Sequence, residues 1–385
     1  MRIAYITADP GVPVFGSKGC SIHVQEVLRA LAGRGAEIEL FATNCAGEPP
    51  PGLGTVRLHP LPPAPKGDLA SREQKCLQAN EPLRTTLERE GPFSFIYERH
   101  SLWSFAAMEY ARASGTPGLL EVNAPLVDEQ AEHRGLVDRA GAERATERAL
   151  SAATVLVAVS DEVAEYLASS ATARGKVHVV PNGVNPERFP PDLKPSLPAA
   201  PGTFTVGFAG SMKPWHGLGT LLEAFAQLHE RNPESRLLLV GDGAGREPLA
   251  AEASSRGLGA AVHFTGAVAP GDVPGLLASM DVGVAPYPNS ANFYFSPLKV
   301  YEYMAAARPV VASRVGQLEK LIEPEVTGLL VPPGDVTALT AGLERIQREP
   351  ELGLQLGQAA RAKVLRNHTW DGAVRRILEL ARLQP

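Results

Sequence analysis

The chain has 385 residues, enough for two or three domains with a sizeable core. It carries 37 Lys and Arg against 42 Asp and Glu, and the resulting net charge of −5 lacks the basic excess of a sequence-independent nucleic-acid binder. Apolar residues make up 44% and charged residues 21%, which argues against disorder. The 37 glycines and 34 prolines follow no period and indicate a loop-rich globular protein.

The three cysteines, Cys20, Cys45 and Cys76, show no C-x-x-C spacing. A disulfide framework or a zinc site is therefore not expected, and a reducing compartment fits this usage. No run approaches the roughly 18 apolar residues of a membrane span. The N-terminus enters a strand pattern at once, unlike a signal peptide. We expect a cytoplasmic protein with at most peripheral membrane contact.

Short apolar runs alternate with helical patterns, which is typical of parallel sheets covered on both faces. These runs are Ile3–Thr7, Ile38–Ala42, Val56–Leu61, Phe95–Tyr97, Leu119–Val122, Thr154–Val159, Val177–Val180, Phe204–Phe208, Leu237–Val240, Val262–Phe264, Val282–Ala285, Pro309–Ala312 and Gly328–Val331. Six prolines predict a stiff, extended linker over residues 186–202. We therefore predict two doubly wound α/β domains, residues 1–185 and 203–369, with ligands bound in the cleft between them. An amphipathic helix is predicted over 370–385.

Two glycines, Gly16 and Gly19, follow the first strand and precede a helix that opens near Ser21. Glycines before a helix N-terminus let backbone N–H groups approach a phosphate, where the helix dipole favours negative charge. The spacing matches neither G-x-G-x-x-G nor the P-loop pattern. A phosphate-binding turn and a merely flexible turn therefore both stay open.

A second loop, Gly210–Gly217, directly follows the first strand of the second half and contains Lys213 and His216. A lysine in this place can offer a positive charge to a diphosphate leaving group without a metal. His216 could add a hydrogen bond, although a loop histidine is more often simply solvated. The loop indicates a candidate diphosphate contact.

The third candidate begins at Ser296, a preferred N-cap, followed by Pro297, a preferred first helical residue. The N–H groups of Leu298 and Lys299 would then form an anion site, with the Lys299 ammonium beside it. Glu302, one turn further on, suits the vicinal hydroxyls of a ribose. A surface Lys–Glu pair is the alternative.

Seven motifs in order resemble the retaining glycosyltransferases of family 4, which have the two-domain GT-B fold, along essentially the whole chain. They are the Gly16–Gly19 turn, Val180-Pro-Asn-Gly-Val184, the Gly210–Gly217 loop, Val240-Gly-Asp-Gly243, Phe264-Thr-Gly-Ala-Val268, Ser296–Ala306 with Arg-Pro-Val-Val-Ala312, and Gly328-Leu-Leu-Val-Pro-Pro-Gly334. The resemblance implies hexosyl transfer from a nucleoside-diphosphate sugar, with UDP or GDP as first choices, bound mainly by the second half. The acceptor, a small molecule, glycan or lipid-linked compound, would lie on the first half, and the helix over 370–385 would cross back onto it.

The chain departs from the family pattern at several positions. Tyr294 stands at the first Glu of the Glu-x7-Glu motif, and Ser211 and His216 replace the Arg and Lys of Gly-Arg-x4-Lys-Gly. Asn123 stands after the fifth strand, where the family often has a histidine beside the reacting sugar. We therefore expect Lys213, the cation in that loop sure to be charged at neutral pH, to be the main catalytic cation.

The resemblance and the motifs together assign the candidate site. The expected catalytic residues are Lys213, Glu302 and Asn123, and the expected substrate-binding residues are Gly16, Gly19, Gly210, His216, Val268, Tyr294, Ser296, Leu298 and Lys299. The implied mechanism is a front-face displacement in which the departing diphosphate accepts the proton of the acceptor hydroxyl. No cofactor is expected, and no metal, because the chain has no Asp-x-Asp motif. Arg99 or His100, at the end of a strand, could contact an acceptor, although His100 could equally be a core residue.

Three other functions stay open. Loss of the first motif Glu and of the histidine favours a degenerate GT-B paralogue that binds nucleotide or a partner without turnover, whereas the intact phosphate and ribose motifs count against it. A nucleotide-sugar epimerase shares the fold. A phosphorylase would ordinarily need a pyridoxal lysine, for which we find no motif.

Overall fold

The computed structural model describes residues 1–63, 66–289 and 293–383, which form two compact units. The N-terminal unit comprises residues 1–182, 294–296 and the segment from Trp370 onward; the C-terminal unit comprises residues 183–293 and 297–369. No helix in these described ranges is long and apolar enough to cross a membrane.

The N-terminal unit is built on a seven-stranded parallel sheet. Its strands are β1 (Arg2–Thr7), β2 (Glu37–Ala42), β3 (Arg57–Pro60), β4 (Phe95–Arg99), β5 (Gly118–Val122), β6 (Val155–Ala158) and β7 (Val177–Val179). Their order is β3-β2-β1-β4-β5-β6-β7. The order reverses between β1 and β4, and in such sheets ligands bind beyond the carboxyl ends of the strands at the reversal.

The C-terminal unit repeats this plan with a six-stranded parallel sheet. Its strands are β8 (Phe204–Ala209), β9 (Ser235–Val240), β10 (Val262–Gly266), β11 (Val282–Ala285), β12 (Val310–Ser313) and β13 (Leu329–Val331). Their order is β10-β9-β8-β11-β12-β13, with the reversal between β8 and β11. The predicted doubly wound α/β fold with two parallel sheets is confirmed.

Helices accompany the strands in both units. Those of the N-terminal unit are α1 (Gly19–Gly33), α2 (Leu69–Gln78), α3 (Asn80–Glu90), α4 (Ala106–Ser114), α5 (Leu126–His133), α6 (Arg139–Ala152), α7 (Asp161–Ala168) and α15 (Trp370–Leu383). Those of the C-terminal unit are α8 (Leu218–Arg231), α9 (Arg246–Ser255), α10 (Val273–Ala278), α11 (Leu298–Ala305), α12 (Leu318–Leu321), α13 (Val336–Arg348) and α14 (Pro350–Asn367).

The apolar patterns explain why these segments adopt these elements. All six residues of β8 are buried, as expected for a strand covered by helices on both faces. On α8 the buried side chains Leu218, Leu221, Leu222 and Phe225 recur at helical spacing and form one apolar stripe. The core of each unit therefore lies between its sheet and its helices.

The prediction that Ser296 caps the third candidate helix is wrong. Helix α11 begins at Leu298, and Pro297 occupies the N-cap position. Ser296 is drawn instead to Asn182, whose side-chain Nδ2 donates to the Ser296 carbonyl oxygen at 2.8 Å and whose backbone N–H lies 3.4 Å from the Ser296 hydroxyl. This tertiary contact overrides the local capping preference.

Residues 186–202, expected to be an extended linker, begin with a short 3-10 helix over Pro186–Arg188. Further along, the Ser196 N–H donates to the Gly275 carbonyl oxygen at 2.9 Å. This proline-rich stretch therefore lies on the C-terminal unit rather than forming a free tether.

The C-terminal helix α15 packs on α1 of the N-terminal unit. The Trp370 ring contacts the His23 ring edge-on, with 5.0 Å between centroids. Arg34 and Asp371 form an exposed ion pair at 2.7 Å. Burial of Trp370, rather than the ion pair, should dominate this docking, since exposed pairs contribute little.

We expect Trp370→Ala to lower the free energy of unfolding by about 3–5 kcal/mol, because a buried indole is replaced by a cavity. Asp371→Ala, one residue away, should change it by less than about 1 kcal/mol. Urea denaturation followed by fluorescence and circular dichroism measures both. Equal losses in the two variants would contradict this account of the docking.

Candidate active site

The most unusual side chain in the C-terminal unit is Lys299, the second residue of α11. It is only 9% exposed, and its Nζ has no hydrogen-bond partner within the part of the chain that the structure describes. The ammonium lies 4.0 Å from the centroid of the Phe208 ring and 5.3 Å from that of Tyr287. Burial lowers the pKa of Lys299 to about 7. Among the described residues no counter-charge offsets this burial, and the amine lies instead against aromatic faces.

Gly210 makes room for this side chain. A Cβ built on Gly210 would lie 3.2 Å from Lys299 Cε and Nζ, and the residue has a φ of +140°, which side-chain-bearing residues rarely adopt. Its N–H donates to the Val240 carbonyl oxygen at 2.9 Å, which fixes the loop at the end of β8. Two motifs far apart in sequence, at Gly210 and at Lys299, thus meet in one place.

His216 stands beside the same two aromatic rings. Its ring centroid lies 5.8 Å from those of both Phe208 and Tyr287, and its Nδ1 bonds the Ser211 carbonyl oxygen. Because a carbonyl only accepts, Nδ1 carries the hydrogen and Nε2 is left as an acceptor. Burial, and then the charge of Lys299, lower the pKa of His216 to about 3. His216 is therefore neutral at physiological pH.

Lys213 lies on the surface of the same loop. It is exposed, and its Nζ lies 5.6 Å from the centroid of the Trp215 ring. The expected catalytic cation and the buried cation are thus different residues. The role predicted for Lys213 stays a prediction.

The start of α11 adds two backbone donors to the Lys299 ammonium. The N–H groups of Leu298 and Lys299 are at the first helical positions, where no intrahelical acceptor exists. Such a terminus attracts anions because the helix dipole and the N–H groups act together. The arrangement can bind an anion such as a diphosphate.

Glu302, one turn beyond Lys299, forms an ion pair with Arg188 at 2.9 Å. Both side chains are largely buried, and Arg188 also donates to the Pro270 carbonyl oxygen at 2.8 Å. Arg188 thereby ties Glu302 to the loop after β10, which contains Val268. Sequence reasoning missed Arg188 because it stands in the stretch interpreted as a linker. The ribose role of Glu302 stays a prediction.

The glycine turn of the N-terminal unit is held by a buried glutamine. Gln25 Nε2, on α1, donates to the Val14 and Gly16 carbonyl oxygens at 2.8 Å each. A Cβ on Gly16 would lie 2.9 Å from the Pro13 ring, whereas Gly19, the first residue of α1, meets nothing within 4 Å. The side chain of Gln25 therefore fixes the conformation of this turn.

Tyr294 packs within the N-terminal unit, as Ser296 does. Its hydroxyl donates to Glu129 Oε2 at 3.0 Å, and its carbonyl oxygen accepts from the Ser160 hydroxyl at 3.1 Å. Burial and the nearby Glu129 carboxylate raise the pKa of Tyr294. Where the family pattern has a carboxylate, this chain has a neutral phenol engaged with its own unit.

Asn123 lies just beyond β5 in the N-terminal unit, where its Nδ2 donates to Glu121 Oε1 at 2.6 Å. The structure therefore gathers Gly210, His216, Leu298 and Lys299 in the C-terminal unit, and places Gly16, Gly19, Asn123, Tyr294 and Ser296 in the other. Within the described ranges, no group of three or more His, Cys, Asp or Glu side chains is placed to hold a metal ion.

Both halves of the chain match known families. Residues 17–188 match the family model described as "Glycosyltransferase Family 4", and residues 203–349 match the one described as "Glycosyl transferases group 1". A D-inositol 3-phosphate glycosyltransferase from Stackebrandtia nassauensis is 29% identical, with 92% of this chain and 85% of that protein covered.

Solved structures share the fold. Sucrose-phosphate synthase from Thermosynechococcus elongatus is 24% identical with a TM-score of 0.78, over 100% of this chain and 98% of that chain. HepE from Anabaena, solved with UDP and glucose, is 19% identical with a TM-score of 0.76, over 100% of both chains. Two family matches that together span most of the sequence, on two sheets of this topology, place the chain in glycosyltransferase family 4 as a glycosyltransferase of the GT-B fold.

Proposed function

We propose that this glycosyltransferase moves a sugar from a nucleoside-diphosphate sugar to an acceptor hydroxyl, with retention of configuration at the anomeric carbon and without a metal. The observation that carries this proposal is the Lys299 ammonium, buried without a hydrogen-bond partner among the described residues at the start of α11. A diphosphate would supply the counter-charge that Lys299 lacks and accept from the first N–H groups of the helix.

The residues around Lys299 take different parts in this reaction. Lys299 binds the diphosphate in the ground state, because it is buried and already in place. Lys213 has a long, exposed side chain on the Gly210–Gly217 loop. It is proposed to stabilise the negative charge that grows on the diphosphate as the glycosidic bond breaks. The neutral His216 ring is proposed to accept a hydrogen bond at Nε2 from a hydroxyl of the donor.

Glu302 is proposed to bind the vicinal hydroxyls of the donor ribose, since a carboxylate accepts two hydroxyls at once. The ion pair with Arg188 orients this carboxylate and offsets its charge near a phosphate. The structures of HepE with UDP support testing UDP-sugars first.

The departing diphosphate is proposed to accept the proton of the acceptor hydroxyl on the same face of the sugar. The protein then contributes positioning and electrostatic stabilisation rather than a nucleophile. This division fits a site whose buried cation and helix N-terminus are both aimed at an anion.

A thermal-shift panel of UDP, GDP, ADP and TDP with their sugars tests the donor. Binding to the folded state alone raises its stability by about 2.7 kcal/mol at a hundredfold excess over Kd. Donor turnover is then measured with and without acceptor extracts, and proton NMR of the product gives its anomeric configuration. An inverted product, or nucleotide binding without any turnover, would refute the proposed reaction; the latter would indicate a degenerate paralogue.

Lys299→Met should raise the Kd of the nucleoside diphosphate at least roughly tenfold, because a charged hydrogen bond is lost. The same substitution should leave the free energy of unfolding equal or higher by about 1–3 kcal/mol, since an unpaired buried cation is replaced by an apolar chain of similar length. Calorimetry and urea denaturation measure the two effects.

Lys213→Ala is the matched control, and it should lower kcat by roughly a hundredfold with little change in nucleotide Kd. The assignment of the two lysines would be reversed if Lys213→Ala lost binding and Lys299→Met kept it.

Nucleotide affinity should depend on pH through Lys299. Its pKa in the free protein is lowered to about 7, so the ammonium is present below pH 7 and is lost above it. Above that value, binding must restore a proton, and affinity should fall roughly tenfold per pH unit. Calorimetry from pH 6 to pH 9 checks this. The slope should disappear in Lys299→Met and persist in Lys213→Ala; a slope common to all three proteins would assign it to another group.

Turnover should survive exhaustive EDTA treatment, because two lysines and a helix N-terminus meet the diphosphate charge in this proposal. The initial rate is compared before and after chelation, with and without added magnesium or manganese. Activity abolished by EDTA and restored by either metal would overturn the metal-independent mechanism.

A further inference from the structure

One of the buried carboxylates of the N-terminal unit, Glu121, bonds Asn123, an expected site residue. Glu121, on β5, is 3% exposed, and its carboxylate is surrounded by donors. His23 Nε2 lies 2.9 Å from it, and the Tyr97 hydroxyl donates to Oε2. Oε1 accepts from Arg99 Nη1 at 3.2 Å and from Asn123 Nδ2 at 2.6 Å. Although burial alone would raise it, the contacts with His23 and Arg99 hold the pKa of Glu121 well below its usual range.

Such a carboxylate needs an explanation beyond stability. Burying an ionised group is costly, and an apolar side chain of similar volume often serves a core as well or better. Glu121 stands near the carboxyl end of β5, the edge of a parallel sheet where ligands bind. Two of its four partners, His23 and Tyr97, are themselves buried, whereas Arg99 and Asn123 lie at this edge.

The carboxylate determines which atoms Asn123 presents. A carboxylate oxygen only accepts, so the amide must turn its NH2 group toward Glu121. Asn123 Oδ1 then faces away from Glu121, and it accepts no hydrogen bond from any described residue. The orientation of the amide is thus fixed by chemistry.

Arg99 is fixed in the same way. One of its N–H groups bonds Glu121, and the guanidinium makes no other hydrogen bond within the described ranges. Its other four N–H donors stay available, and its side chain is 15% exposed. Because both groups bond the same oxygen, Oε1, the Asn123 amide and the Arg99 guanidinium are neighbours.

We propose that Glu121 is a positioning residue that holds Asn123 and Arg99 as a paired binding edge for a hydroxyl of a polyol. The hydroxyl donates to Asn123 Oδ1 and accepts from Arg99, so both of its hydrogen-bonding functions are used. This rests on the proposed function, in which the polyol is either the acceptor or the transferred sugar. Asn123 and Arg99 touch the ligand; Glu121 acts through them.

Asn123→Asp is the first test, because it keeps the shape and the outward oxygen but sets a carboxylate against Glu121. The repulsion should turn the side chain away, and kcat/KM should fall at least roughly tenfold. The double variant Glu121→Gln with Asn123→Asp should recover part of that loss, because the introduced amide at position 121 can donate to the introduced carboxylate at position 123. Recovery stays partial because Oε1 of Glu121 also accepts from Arg99, and an NH2 group in its place cannot. A merely structural role for Glu121 predicts that the double variant is worse than either single variant.

Glu39→Gln is the matched control. Glu39 is a buried carboxylate of the same sheet, on β2, paired with Arg2 at 2.8 Å and His59 at 2.6 Å. Glu121→Gln should lower kcat/KM, because an amide cannot hold both Asn123 and Arg99 at Oε1. Glu39→Gln should lower thermal stability as Glu121→Gln does, yet leave kcat and both KM values unchanged. A fall in kcat/KM equal to that of Glu121→Gln would show that loss of any buried charge in the sheet is enough, and the proposal would be wrong.

Two assays distinguish a hydroxyl of the transferred sugar from a hydroxyl of the acceptor. If it belongs to the sugar, Asn123→Asp lowers donor hydrolysis measured without acceptor; if it belongs to the acceptor, hydrolysis is unchanged and only transfer falls. Nucleotide Kd should be unchanged in every variant. Absence of turnover in the wild-type protein would overturn the proposed function instead. The Glu121–Asn123 coupling would then be read from a thermal-unfolding double-mutant cycle, and additive effects there would refute it.

Discussion

Burial of the Lys299 amine, without a counter-charge among the described residues, is the constraint on which the proposed donor site of the C-terminal unit depends. Aromatic faces at Phe208 and Tyr287 offset only part of the lost hydration, so the group is held in a state that an anion would relieve. Glycine suits position 210 because its φ of +140° is one that side-chain-bearing residues rarely adopt, and a Cβ there would lie 3.2 Å from the end of the lysine.

The parallel sheets explain why these groups gather where they do. In each unit, the loops that follow the strands leave from one edge, so residues distant in sequence meet there. The Gly210 loop follows β8, Asn123 follows β5, and Arg99 ends β4. The strands behind them, β4, β5 and β8, are almost wholly buried, which suits the proposed mechanism because that mechanism depends on positioning rather than on a covalent intermediate.

Those strands were predictable because most are short apolar or β-branched runs bounded by turn residues, and each predicted run has a strand in the structure. The position of Ser296 was not predictable, because its contact with Asn182 joins residues more than a hundred positions apart. This contact outweighs the local preference for serine at an N-cap. The difference in burial between exposed Lys213 and buried Lys299 could not be predicted either, because it too depends on tertiary contacts. The sequence shows that both side chains are basic, but it does not show which of them is buried. Lys299 is buried by Phe208 and Tyr287, and no spacing rule connects these residues to position 299. Arg188 was missed because proline dominates its surroundings.

Glu121 and Lys299 show two ways in which a fold can use a buried ionisable group that adds little stability. Glu121 is saturated by four partners, so it has no capacity left for a ligand and its effect is to orient Asn123 and Arg99. Lys299 has no hydrogen-bond partner among the described residues, so its capacity is intact. In these proposals, the fully bonded Glu121 carboxylate orients neighbouring side chains, and the unpaired Lys299 amine contributes affinity for an anion. The proposed reaction, in which charge holds the donor and hydrogen bonds direct a hydroxyl, would use both.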